Sequence, residues 1–120
     1  MQINDETRYG MHNHAALLKN LVDFGVADRV RVVSVHSSAA NLGWVSRSIE
    51  LLWVDGSHEY DDVEFDLRVW SEYLTDTAKI VLHDTSGHFP DVTRALNEFL
   101  AAGEWKIVER IDATSVLERV

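Results

Sequence analysis

Ile49-Glu50-Leu51-Leu52-Trp53-Val54-Asp55-Gly56-Ser57-His58-Glu59-Tyr60 is an apolar run that stops abruptly at an acid, a glycine, a serine and a histidine. Leu51 to Val54 reads as a strand buried on both faces, the pattern of a parallel sheet. The polar residues then fall just past its carboxyl end, where open α/β sheets place ligands and chemistry. Lys79-Ile80-Val81-Leu82 repeats the design and runs into His83-Asp84-Thr85. Two strands therefore deliver an Asp and a His each to one rim.

Working outward, strands and helices alternate. Met1 to Asn4 reads as the tail of a strand, and Val30 to Val35 as a β-branched strand. His14 to Phe24 reads as a helix with Leu17, Leu18, Leu21 and Val22 on one face and Gly25 as its stop. Ala39 to Val45 is a short helix or turn. Asp61 to Leu74 is the clearest helix, because Val63, Leu67, Trp70 and Leu74 share one face while Asp62, Glu64, Asp66 and Glu72 cover others. Pro90 to Ala102 is a helix opened by its proline and closed by Gly103. Trp105 to Ile111 and Thr114 to Leu117, joined only by Asp112-Ala113, read as an antiparallel hairpin. Trp44, Trp53, Trp70 and Trp105 read as core. The expected fold is α/β: a Rossmann-like, mostly parallel sheet with flanking helices and a C-terminal antiparallel hairpin.

At 120 residues the chain is one domain. It has no apolar run of about 18 residues that would span a membrane, and no basic-then-apolar leader at its N-terminus. With no cysteine it has neither disulfides nor thiolate metal sites, which fits a cytoplasmic protein. A formal net charge of -9 repels phosphate backbones and anionic lipids, so neither nucleic acid nor a membrane is expected as a partner.

The rim residues carry the chemistry. Asp55 and Asp84, at the ends of neighbouring strands, repel each other unless a cation or a proton sits between them. Hard oxygen ligands suit Mg²⁺, Ca²⁺ or Mn²⁺, with His83 as a softer third ligand. The competing reading makes both acids helix caps. His58, three residues after Asp55, is either a general base that titrates near neutrality or a surface histidine at a helix start. His83 is alternatively a buried histidine satisfied by a backbone carbonyl. Ser37 and Ser38, after the Val30 to Val35 strand, either touch a ligand or cap the next helix. His88 is a weak pocket candidate, and His12 and His14 fit an exposed helix start better than a metal pair.

The segment from Leu51 to Tyr60, with Val63, Asp66-Leu67 and Trp70, and then Val81-Leu82-His83-Asp84-Thr85, resembles class I S-adenosylmethionine-dependent methyltransferases. It is most similar to the branch of sugar and antibiotic O-methyltransferases and cephalosporin-hydroxylase-like proteins. Gly25-Val26-Ala27-Asp28-Arg29-Val30 resembles the helix-to-strand joint of that branch. The resemblance implies Asp55, His83 and Asp84 around Mg²⁺, and His58 as the base that takes a proton from a small-molecule hydroxyl acceptor. It implies S-adenosylmethionine as cofactor, with Asp5 at the ribose-gripping position and Ser37 and Ser38 beside the site.

The sequence also departs from that family. The glycine-rich turn has no counterpart, and Met1 falls at the family's second strand. Ser37 stands where an acid is common, and Thr75-Asp76-Thr77-Ala78 replaces a Pro-Gly-Gly turn. The expectation is a single, partial methyltransferase domain over residues 1–120 that lacks its first strand-helix unit. Its open strand edges favour a homo-oligomer. Two other functions are weighed against an O-methyltransferase: a non-catalytic binding or dimerisation remnant, and a metal-dependent hydrolase built on Asp55, His58, His83 and Asp84.

Overall fold

A computed structural model describes residues 5–120, with side chains described from residue 13 onward. The expected strand tail at Met1 to Asn4 lies outside the described residues. The chain divides into two compact units, Met1–Ser34 and Val35–Val120.

In the first unit, α1 spans Asp5–Asp23, starting well before the expected His14. It ends in a glycine-dependent cap: the Gly25 amide donates to Val22 O at 3.0 Å and the Val26 amide to Leu21 O at 3.0 Å. Gly25 supplies the left-handed turn with φ of +70°. A 3₁₀ turn, Ala27–Arg29, follows. Val30 to Val35 is not a strand. Its β-branched side chains favour extended backbone, and Val30 is extended, but a strand also needs a partner ladder, and none forms among the described residues.

The second unit holds α2 (Ser37–Ala40), β1 (Ile49–Val54), α3 (Tyr60–Trp70), β2 (Leu74–Leu82), α4 (Pro90–Ala101), β3 (Trp105–Ile111) and β4 (Thr114–Arg119). The sheet runs β1-β2-β4-β3. β1 and β2 are parallel, with Leu52 opposite Ile80 and Val54 opposite Leu82. β4 inserts antiparallel to both β2 and β3. The expected hairpin forms on Asp112-Ala113, with Ile111 opposite Thr114.

The core lies between one sheet face and the helices α3 and α4. Val54, Ile80, Leu82 and Leu117 meet Val63, Leu67, Val92 and Leu96 there. α3 gives way to a 3₁₀ turn at Ser71–Tyr73, and Leu74 already belongs to β2. Pro90 sits in the first turn of α4, and Gly103 follows its C-cap with φ of +82°.

The expectation that β1 is buried on both faces is corrected. Leu52 and Val54 face the core, but Leu51 and Trp53 are 57% and 59% exposed. β1 ends the sheet, and within this unit the helices cover one face only. The tryptophans divide in the same way. Trp70 and Trp105 are buried, whereas Trp53 and Trp44 are exposed, Trp44 lying edge-on to Trp70 at 5.0 Å between centroids. Among the described residues no helix is long and apolar enough to cross a membrane.

Candidate functional site

The parallel pairing of β1 with β2 ends both strands at one level, so the residues that follow them meet. The His83 amide donates to Val54 O at 3.0 Å, which carries the ladder one step past the end of β2. The next residue, Asp84, holds φ at +60°, a conformation Asp tolerates better than most residues. Thr85 anchors this bend from below. Its amide donates to Ala113 O at 2.8 Å, and its buried hydroxyl bonds Ser115 Oγ at 2.7 Å. The β4 hairpin therefore fixes where the His83-Asp84 pair points.

Asp84 uses its two oxygens separately. Oδ2 accepts a hydrogen bond from His58 Nε2 at 2.6 Å, and Oδ1 lies 3.0 Å from His83 Nδ1. On its other side, His83 Nδ1 lies 3.2 Å from Asp55 Oδ1. Neither approach is aligned as a hydrogen bond, so a buried ring nitrogen sits unpaired between two carboxylates. The His58 ring stacks on Phe89 with centroids 3.7 Å apart. The hydrogen bond from His58 holds the Asp84 carboxyl below its ordinary value, with the His83 contact acting in the same direction. Asp84, and then Asp55, raise His83 above the ordinary imidazole value.

These positions set aside the capping readings of the two acids and the carbonyl-satisfied reading of His83. Neither Asp55 nor Asp84 caps a helix: Glu59 and Phe89 stand at the N-caps of α3 and α4 without a side-chain bond. The Glu59 amide is served by Ser57 Oγ at 3.1 Å, and the Tyr60 amide by Asp91 Oδ2 at 3.3 Å. Nor is His83 Nδ1 satisfied by a backbone carbonyl. Asp55, His83 and Asp84 each offer one atom, all within 4.8 Å of one another. Two carboxylate oxygens and one imidazole nitrogen, the last unpaired, form a donor set that fits a divalent cation. The crevice lined by Asp55, Gly56, His58, His83 and Asp84 has about 10 Å³ of free volume, room for a single small ion or water.

A second, open cavity of about 630 Å³ adjoins this cluster and shares Asp55 and Gly56 with it. Ser37, Trp44, Trp53 and Asp66 line it as well. Its size falls within the range of small-molecule and cofactor sites. Ser37 is thus brought to the cavity wall, and Ser38 follows it in the first turn of α2. Neither serine caps that helix, because the preceding residue, His36, does so. Asp5 begins α1, but its side chain lies outside those described. His88 is exposed and lines neither cavity. His14 is exposed within α1, where Nδ1 bonds Ser34 Oγ at 3.1 Å, and His12 lies outside the described side chains.

Sequence reasoning missed Asp66, Trp44 and the two groups that brace the rim, Phe89 and the Thr85–Ser115 pair. Asp66 looked like one more acid on a solvated face of α3. Instead it is about half buried, and burial raises its carboxyl, while the nearby Ser37 hydroxyl acts in the opposite direction. The available signal was its place between Phe65 and the core residue Leu67.

A family model described as a methyltransferase domain matches residues 3–85. The match takes in Ser37, Asp66 and the whole Asp55, His58, His83 and Asp84 cluster, and ends at the Thr85 anchor. No curated protein matches the chain.

Proposed function

The chain belongs to the methyltransferase-domain family, and from that premise we propose that it is an O-methyltransferase acting on a small-molecule hydroxyl with the help of a divalent cation. The family implies S-adenosylmethionine as methyl donor. The observation that carries the proposal is the convergence of Asp55, His58, His83 and Asp84 on one rim beside a cofactor-sized cavity.

Asp55, His83 and Asp84 are the residues that would hold the cation. Bound there, a cation such as Mg²⁺ supplies a Lewis acid that orients and acidifies an acceptor hydroxyl, best one of two adjacent hydroxyls. Bound S-adenosylmethionine supplies the electrophilic methyl group, and the cavity that includes Ser37 and Asp66 is the space offered to it. His58 accepts the hydroxyl proton. A carboxylate only accepts hydrogen bonds, so His58 Nε2 carries the hydrogen that points at Asp84 Oδ2. The free lone pair is then on Nδ1, and that atom takes the proton. Asp84 then stabilises the imidazolium, while Phe89 keeps the ring in plane beneath it.

The six glycines of the sequence are widely spaced, and no glycine-rich turn occurs among them. Within this chain, the cavity wall that includes Ser37 is the surface offered to the donor. We also propose that the active form is a homo-oligomer, because β1 ends its sheet with Leu51 and Trp53 uncovered.

The test is release of S-adenosylhomocysteine from S-adenosylmethionine in the presence of Mg²⁺ and a panel of catechols and vicinal diols. Turnover that chelation abolishes and His58→Ala strongly reduces is the expected result. Turnover of phosphoesters or amides without any methyl donor would move the same cluster to a hydrolase.

A further inference from the structure

Tyr60 closes the polar stretch that follows β1, and three side chains of α4 hold it. Its amide donates to Asp91 Oδ2 at 3.3 Å, and its hydroxyl donates to Glu98 Oε2. The Arg94 guanidinium lies over the ring, with Cζ 4.0 Å from the centroid, and its Nε donates to Glu98 Oε1 at 3.2 Å. Asp91, Arg94 and Glu98 follow one another at helical spacing, so they share one face of α4. The contacts support one another. Arg94 balances the Glu98 charge and sets a cation on the face of the tyrosine ring. The bond to Glu98, and then burial, raise the Tyr60 hydroxyl above its ordinary value, while the same bond lowers the Glu98 carboxyl. The hydroxyl therefore stays a donor and the carboxylate an acceptor.

The buried residues of α3 begin at Val63, and Glu59 at its N-cap makes no side-chain bond. Tyr60 is what ties the first turn of α3 to α4. His58 stands two residues earlier, stacked on Phe89 at the N-cap of α4 and bonded to Asp84. Stacking sets the plane of a ring but tolerates its sliding across the partner's face. The lateral position of His58 is then set by its backbone, and that backbone is anchored at Tyr60. We infer that Tyr60 is a positioning residue, the pin through which α4 sets where the His58 ring stands between Phe89 and Asp84. Tyr60 lines neither the cation crevice nor the cavity beside it, so its effect runs through the chain to His58. The consequence for turnover rests on the function proposed above, whereas the pin itself does not.

Proton NMR of the whole chain tests the pin directly, because the ring current of Phe89 shifts the carbon-bound protons of a stacked His58 upfield. The parent is expected to show that shift. Tyr60→Phe keeps the ring beneath Arg94 and loses the hydroxyl bond, and it is expected to lose part of the shift; Tyr60→Ala is expected to lose most of it. Glu98→Ala removes the same bond from the other side and should match Tyr60→Phe, whereas Glu98→Gln, whose carbonyl still accepts, should stay near the parent. Tyr60→Phe combined with Glu98→Ala should be no worse than either alone. His58 signals at their parent positions in folded Tyr60→Phe and Glu98→Ala would overturn the inference, whatever happens to the melting temperature. Turnover supplies the second readout. A loosened His58 should lower kcat about tenfold in Tyr60→Phe and leave KM for S-adenosylmethionine unchanged, since Tyr60, Asp91, Arg94 and Glu98 do not line the cavity. A parent chain without turnover, whose ring shifts nonetheless respond to Tyr60→Phe, removes the functional reading and leaves the pin standing.

Discussion

Asp84 is the residue on which the site turns, because one oxygen faces His83 and the other holds His58. Replacing it with Asn preserves shape but removes the charge and presents an amide where two acceptors are needed. Asp84→Asn is expected to weaken Mn²⁺ binding by at least about tenfold, read by calorimetry or by the electron paramagnetic signal of free Mn²⁺. His58→Ala, by contrast, leaves Mn²⁺ binding near the parent value while turnover falls by about 10² to 10⁴. Equal loss of metal binding in both variants would contradict this division of labour. Asp66 gives a pH prediction whose sign follows from burial. Its folded-state value is raised, so the folded chain favours the protonated acid. That contribution is complete below the ordinary carboxyl value and is lost as pH rises through the raised one. Asp66→Asn should therefore raise the melting temperature at pH 7, with the gain shrinking toward zero near the ordinary carboxyl value, about pH 4. The rim residues were legible in the sequence because an apolar run that ends in Asp-Gly-Ser-His or His-Asp-Thr marks a strand end by composition alone. Asp66 was not, because an acid on a helix looks the same whether it faces water or a neighbouring loop.

Among the elements, α3 and the sheet face beneath it bear the load. Leu67 is almost wholly buried against that face. Leu67→Ala is expected to cost about 2–5 kcal/mol of unfolding free energy in urea titration, whereas Leu51→Ala, on the open face, should stay within about 0.5 kcal/mol. Similar losses at both positions would mean that the outer face of β1 is covered in solution. The helices and the closing hairpin were readable because their periods, the proline and the glycines agree with one another. β1 was located correctly and its environment was not. A run such as Leu-Leu-Trp-Val reports that a strand is apolar on both sides, but not whether both sides have neighbours. Val30 to Val35 failed in a related way, since β-branched residues report extended backbone while a ladder depends on a second segment.

For the molecule as a whole, the matched family spans both compact units, while the residues proposed for the cation all belong to the second. The open edge of β1 carries the proposal of self-association. Sedimentation of the parent chain is expected to show a concentration-dependent dimer that Trp53→Lys shifts toward monomer, and a parent that stays monomeric at all concentrations would remove it. The central claim, that this fold binds a methyl donor beside a cation cluster, is tested most directly by calorimetric titration of the purified, folded chain with S-adenosylhomocysteine, with and without Mg²⁺. The account predicts micromolar binding in both titrations, since the cavity and the cation crevice are separate spaces that share only Val54, Asp55 and Gly56. No binding to a chain that is folded by circular dichroism would contradict it.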